Sequence, residues 1–269
     1  MKKTKRIGAV IKILTDAPNK TFSLKYFCDI FGAAKSSISE DLQTAREILG
    51  EMELGRIETM PGFGGGVRFI PYISDSQVQT LQEELCEKLK EKSRVLGGGF
   101  LYTSDLMFDA GTIKRVATVF TRKFQDAGAD FIATIETKGI PVATMTAYLL
   151  NLPLVVIRRE AKISEGSTVS INYFSGSYDR IQKMSISKRA VKSGSHAIII
   201  DDFMRGGGSI KGISEILAEF DVEIVGTGLV MTSTEPHQKK ISDYVPLLLL
   251  GDVDEEQKII DIRPNCQIF

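Results

Sequence analysis

One segment constrains this chain more than any other: Ile198-Ile199-Ile200-Asp201-Asp202-Phe203-Met204-Arg205-Gly206-Gly207-Gly208-Ser209. The aliphatic run predicts a buried strand, and the glycines ahead of the amphipathic stretch 210–220 predict a tight turn into a helix. Two carboxylates therefore stand at a strand tip, before a small-residue loop and a helix N-terminus. Backbone N–H groups of such a turn bind a phosphate, Ser209 adds a hydroxyl, and adjacent acids suit two vicinal ribose hydroxyls. Any strand-turn-helix shares part of this pattern, but two acids between aliphatics and three glycines narrow it.

The flanking sequence repeats the alternation. Residues 99–102, 131–135, 154–157 and 222–230 read as strands, with helices over 113–124 and 141–150. Nearly continuous aliphatic strands separated by amphipathic helices imply an α/β fold, a doubly wound parallel sheet covered on both faces. Ligands of such sheets bind at the carboxyl ends of the strands. There Thr137-Lys138-Gly139 forms a second turn, suited to a pyrophosphate through its amides and the Lys138 ammonium; an exposed loop lysine is the alternative. Arg158-Arg159 ends a third strand and suits an anionic ligand. Residues 162–188, with Gly166, Gly176 and many serines, follow neither period throughout and are expected to be a mobile flap.

The first 73 residues differ in kind. Ile7, Val10, Ile11 and Leu14 recur at helical spacing, a second helix is expected from a Ser23 cap to Gly32, and a third opens at 34–41. Ser37 and Glu40 have capping-box spacing, and Ile38, Leu42, Ala45 and Leu49 share one face. That arrangement turns Ser36, Ser39 and Gln43 outward beside Lys35, which suits docking against phosphates at a groove edge and equally suits plain solvent surface. Residues 56–60 and 67–70 then read as two strands joined by Pro61-Gly62-Phe63-Gly64-Gly65-Gly66. A phosphate loop runs from a strand into a helix, whereas here a second strand follows, so the hairpin reading is preferred. Three helices and a hairpin make a winged helix-turn-helix, with an unrelated small helical domain as the alternative. Residues 74–96 form a connecting helix whose apolar seam is too short for a coiled coil, and residues 97–269 form the α/β domain.

Charge supports this division. The chain has 34 Lys plus Arg and 34 Asp plus Glu, so no global field draws it to nucleic acid or an acidic membrane. Residues 1–39 nonetheless carry eight basic side chains against Asp16 and Asp29. Lys3, Lys5 and Arg6 are placed to meet phosphates, with Gly64 and Gly65 at the hairpin tip beside the DNA backbone. Cys28, Cys86 and Cys266 are too scattered for a disulfide framework or zinc site, and His196 and His237 too few for a metal cage. No apolar run approaches the roughly 18 residues that span a bilayer, and a cytoplasmic protein is expected.

The acidic segment resembles the 5-phosphoribosyl-1-pyrophosphate (PRPP) motif of type I phosphoribosyltransferases. Together with Ala34-Lys35-Ser36-Ser37-Ile38-Ser39-Glu40-Asp41-Leu42, Thr137-Lys138-Gly139-Ile140-Pro141, Ser164-Glu165-Gly166-Ser167-Thr168-Val169-Ser170-Ile171-Asn172-Tyr173 and Ile200-Asp201-Asp202-Phe203-Met204, it is similar to the winged-helix purine operon regulators of Gram-positive bacteria. The resemblance implies an N-terminal domain on operator DNA upstream of purine genes and a homodimeric, non-catalytic C-terminal domain. It also implies PRPP with Mg2+ as effector, and guanosine tetraphosphate as a competing ligand. Carried over, it assigns Asp201, Asp202, Gly207, Gly208 and Ser209 to ribose 5-phosphate, and Thr137, Lys138 and Gly139 to pyrophosphate. Tyr102, Phe203 and Arg205 fall on the pocket wall, with Gly206 in the same loop. Ser209 stands where threonine is usual, and Arg205-Gly206 where Lys-Ala is expected; hydroxyl and charge are kept. Two rivals remain at this level: an active purine phosphoribosyltransferase with an accessory domain, and a nucleic-acid module whose second half only dimerises.

Overall fold

A computed structural model describes every residue except Phe63, Lys162 and 176–179, and only the backbone of Glu165, Ser175 and Arg180. The chain divides into two compact units, Met1–Asp75 with Tyr148–Asn151, and Ser76–Ala147 with Leu152–Phe269.

In the first unit α1 (Lys3–Asp16), α2 (Leu24–Phe31) and α3 (Lys35–Glu51) precede the strands β1 (Gly55–Met60) and β2 (Gly66–Pro71). Ser23 caps α2 by accepting from the Tyr26 N–H, and Gly32 ends it in the left-handed region at φ 57°. The apolar faces meet in one core of Val10, Leu14, Phe27, Ile38, Leu42 and Leu49 closed by Ile57 and Phe69 of the hairpin. Helix α3 begins two residues before the expected box. Ala34 is its N-cap, without a side-chain bond, so Ser37 already lies in the first turn. Phe22 adds a short antiparallel bridge to Val67, making the wing a three-stranded edge that no sequence period announces. Three helices and this hairpin form a winged helix-turn-helix.

The second unit holds α4 (Asp75–Leu89), α5 (Ser104–Met107), α6 (Ala110–Phe124), β3 (Phe131–Ile135), α7 (Gly139–Leu150), β4 (Leu154–Ile157), β5 (Thr168–Ser175), β6 (Arg180–Ser187), β7 (His196–Met204), α8 (Gly208–Ala218), β8 (Glu223–Ser233), β9 (Val245–Asp254) and β10 (Ile259–Pro264). Six strands form one sheet in the order β10-β9-β8-β7-β3-β4. It is parallel except for the β10–β9 edge. Ile199, Leu229 and Val155 pack on one face against Ile213 and Ile216 of α8.

Three expectations are corrected here. Residues 99–102 form no strand beyond a single bridge from Val95 to Leu101, because Gly98 and Gly99, both at positive φ, bend the chain away from any sheet. The acidic pair does not end its strand: β7 runs on to Met204. The flap expectation, of which Lys162 and Gly176 lie outside the described residues, falls on an antiparallel hairpin, β5–β6. Tyr173, Met184 and Ile186 of that hairpin are buried in the domain core, and Ser170 pairs with Ser185 on the other face, where Ser185 is itself buried.

A Cβ at Gly66 would overlap the carbonyl oxygen of Phe22, so only glycine lets the wing approach that closely. Gly66→Ala is expected to break the Phe22–Val67 bridge, removing two backbone hydrogen bonds at a cost of about 1–3 kcal/mol. Loss of amide-exchange protection at Phe22 and Val67 would show it; wild-type protection at both would refute it.

Candidate functional site

Parallel pairing brings two loops of the second unit together. Ala133 of β3 lies beside Ile199 of β7, so the 136–139 loop and the Asp201-Asp202 pair emerge at the same end of the sheet. A Cβ on Gly139 would collide with the Asp201 carboxylate and with Thr134 Oγ1, which places this glycine directly against the acid. Asp201 is only 4% exposed, and its Oδ1 accepts from the Asp202 N–H at 3.0 Å. Burial pushes the Asp201 carboxyl well above its ordinary range, with the neighbouring Asp202 charge adding to the effect. Burial raises Asp202 as well, opposed by its bond to Asp201 and by the Lys138 ammonium. The two carboxyls thus titrate as a pair, with proton-donating as well as accepting capacity toward a polyhydroxyl ligand. The Thr134 hydroxyl is buried and, among the described residues, has no hydrogen-bond partner.

Next to the acids, Gly207 is the N-cap of α8 at φ 81°, with no side chain capping the helix. Among the described residues no side chain meets the first amides of α8, an end suited to an anion, and Ser209 is half-buried beside them. Lys138 Nζ lies 3.3 Å from Thr103 Oγ1, next in sequence to Tyr102, whose side chain is exposed. Phe203 is half-buried on β7, whereas Arg205 is exposed. Arg158 departs from the expected anion role: its guanidinium lies 3.5 Å from Glu136, and its backbone bridges Ser185 of β6. The Arg159 N–H also donates to Glu136, at 2.6 Å, while the Arg159 charge opposes the upward shift of Asp201. Among the described residues no three His, Cys, Asp or Glu side chains gather into a metal cluster. Sequence reasoning missed Lys239 and Lys240, which reach the glycine loop; two lysines in a polar stretch read as solvated surface.

In the first unit Lys35, Ser36 and Ser39 are exposed at the start of α3, and Ser37 is half-buried. Lys5 is exposed, and Lys3 makes only a solvent-facing pair with Glu40 at 3.4 Å. Arg6 is no phosphate contact: its guanidinium binds Asp41 at 2.6 Å and is 14% exposed, and Asp41 is wholly buried. Nor is Gln43 a free base reader. Its amide NH2 donates to Glu47 and its oxygen accepts from Arg46. Arg46 also donates to the Ile57 carbonyl and to Thr59 Oγ1, fastening the wing to α3. Gly64 is exposed at φ 83°, and Gly65 donates to the Gly62 carbonyl across the hairpin tip. Between α2, α3 and the wing lies a groove of about 620 Å³ whose lining includes Lys25, Lys35 and Arg46 and, among the described residues, no carboxylate.

Comparison with known proteins matches both units. Residues 2–71 match the N-terminal domain of the bacterial purine repressor, and residues 105–257 match the phosphoribosyl transferase domain. The chain is 40% identical over 264 residues to a probable purine biosynthesis transcriptional regulator PurR of Streptococcus pneumoniae, covering 98% of this chain and 96% of the relative. The chain belongs to the PurR family. The Bacillus subtilis member, a purine biosynthesis transcriptional repressor, is 36% identical, covering 97% of this chain and 93% of its own. Adenine phosphoribosyltransferase of Thermoanaerobacter pseudethanolicus shares the fold of the second unit at a TM-score of 0.53 and 20% identity, covering 62% of this chain and 98% of that one. Among the described residues no helix is long and apolar enough to cross a membrane.

Two outcomes follow from this geometry. Arg6→Ala leaves Asp41 buried without its partner, which should destabilise the N-terminal unit by about 3–5 kcal/mol; amide exchange across α1 and α3 measures it. Normal stability with a salt slope of DNA binding reduced by about one phosphate would return Arg6 to the DNA. The raised Asp201 carboxyl means the folded state holds its proton longer than the unfolded chain, so stability falls as pH rises from about 4, the unfolded value, through the folded one. Asp201→Asn removes this penalty. Its apo form should melt higher at neutral pH, by about 2–4 °C per kcal/mol relieved, and the gain should vanish below about pH 4. An equal or lower neutral-pH Tm would contradict the desolvation argument.

Proposed function

We propose that this PurR-family protein binds operator DNA upstream of purine biosynthesis genes through its winged helix, and that its second unit senses PRPP without turning it over. What carries the effector reading is the convergence of Gly139 on the buried Asp201-Asp202 pair beside the uncapped start of α8. In that arrangement the acids hold the ribose hydroxyls, the Gly206–Ser209 turn holds the 5-phosphate, and the Thr137–Gly139 loop holds the pyrophosphate. Mg2+ would arrive on the pyrophosphate, coordinated by ligand oxygens and water. Guanosine tetraphosphate, with its own pyrophosphates, would compete for the same amides.

On DNA, the N-terminal turn of α3 with Lys35, Ser36 and Ser39 meets the duplex beside the wing. A homodimer would present two such heads to paired half-sites, and DNA as target fits a cytoplasmic protein. The transferase fold of the second unit supports a rival reading, transfer of the phosphoribosyl group to a purine base, so the test includes turnover. Affinity for purine upstream DNA is measured with and without PRPP and Mg2+, and pyrophosphate release with each purine base. PRPP-dependent DNA binding without release is expected. Asp202→Ala should abolish the PRPP response and spare DNA binding, whereas Lys35→Ala should weaken DNA binding and spare PRPP. Release of pyrophosphate would establish the enzyme, and indifference to PRPP would leave a DNA-binding dimer with an idle second unit.

A further inference from the structure

The glycine loop that the effector reading relies on is gripped from behind. Lys239 Nζ donates to the Arg205 carbonyl at 2.6 Å, and the Lys240 N–H donates to the Gly206 carbonyl at 2.9 Å. Both carbonyls belong to trans peptides, and in a planar trans peptide the C=O and N–H point in opposite directions. Fixing the Arg205 and Gly206 oxygens toward residues 239–240 therefore turns the N–H groups of Gly206 and Gly207 to the other side. Among the described residues neither N–H has a protein acceptor. Free donors in a short loop cost stability unless water or a ligand meets them.

The gripping segment is itself anchored. Ile241 and Tyr244 pack on the domain core, Ile241 also meets the α face of Gly207, and the Lys240 ammonium lies 4.5 Å from the Phe174 ring of β5. Burial holds the Lys239 ammonium below the ordinary lysine range, partly offset by Glu235 and reinforced by the Arg205 charge. Lys239 and Arg205 thus bring two cations together from separate segments, a repulsion that a phosphate would relieve.

We propose that Lys239 is a positioning residue for the effector's 5-phosphate: by holding the Arg205 carbonyl it aims the Gly206 N–H at the phosphate, in concert with the backbone of Lys240. This rests on the effector reading above and adds to it a residue outside the strand-turn-helix motif. The role belongs to the phosphate end of the ligand, not to its pyrophosphate, and that sets the test.

Calorimetric titration of the full chain is carried out with PRPP and Mg2+, ribose 5-phosphate and inorganic pyrophosphate, for wild type, Lys239→Met and Lys239→Arg. Methionine keeps the stem and loses the donor. Lys239→Met should weaken PRPP and ribose 5-phosphate on the order of tenfold, the worth of one oriented charge-linked hydrogen bond, leaving pyrophosphate affinity and apo Tm unchanged. Lys239→Arg, which keeps a donor within reach, should restore most of the loss. Wild-type PRPP binding with undiminished affinity in Lys239→Met overturns the positioning role alone, as does an equal loss for pyrophosphate. Failure of the wild type to bind PRPP or ribose 5-phosphate defeats the effector reading, and this inference with it.

Discussion

The second unit is organised around a buried carboxylate held against a glycine. Asp201 occupies space that any side chain at 139 would claim, so the loop after β3 can close onto β7 only because residue 139 has none. That closeness desolvates the acid and raises its pKa. A domain selected for stability alone would place an apolar residue there. The site therefore holds a standing penalty, of the kind found where a ligand is expected to supply the missing hydrogen bonds. The unpartnered Thr134 hydroxyl beside it is a second deficit of the same sort.

The first unit handles charge in the opposite way. Its Asp41 is fully buried yet paired with Arg6 across α1 and α3, and the guanidinium of Arg46 ties α3 to the wing through three acceptors. These arginines are structural: each satisfies backbone or carboxylate groups that would otherwise be buried alone. Lysines, among them Lys5 and Lys35, stand exposed, with Lys25 in the groove between helix and wing. Lysine is a compact, strongly hydrated point charge on a flexible stem. Beside these lysines the hydroxyls of Ser36 and Ser39 stand exposed at the start of α3.

Much of this was legible before any coordinates. Strands 131–135 and 154–157 and the helix faces of Ile38, Leu42, Ala45 and Leu49 follow from periodicity, because burial on one or both faces imposes a spacing that survives in one dimension. The motif Asp201 to Ser209 was legible because turn, phosphate cradle and helix start all demand particular residues in immediate succession. The hairpin β5–β6 was not, since polar residues such as Ser170, Asn172, Lys183 and Ser185 along its strands imitate a loop in one dimension, although Ser185 is buried. The Ser37–Glu40 spacing misled because a capping box is also an ordinary pair of helix positions when the chain enters the helix earlier.

Sequence alone thus determined the two-part layout, the strand-helix alternation and the glycine turn ahead of α8, all of them properties of neighbours along the chain. Only the tertiary structure decided which charges are free. Arg6 and Arg158 look no different from Lys5 and Lys138 in a string of letters, yet the first two meet Asp41 and Glu136 across long loops. Likewise it took three dimensions to bring Lys239 behind the glycine turn. Ion pairing and peptide orientation depend on distances between residues remote in sequence, and no local spacing encodes them.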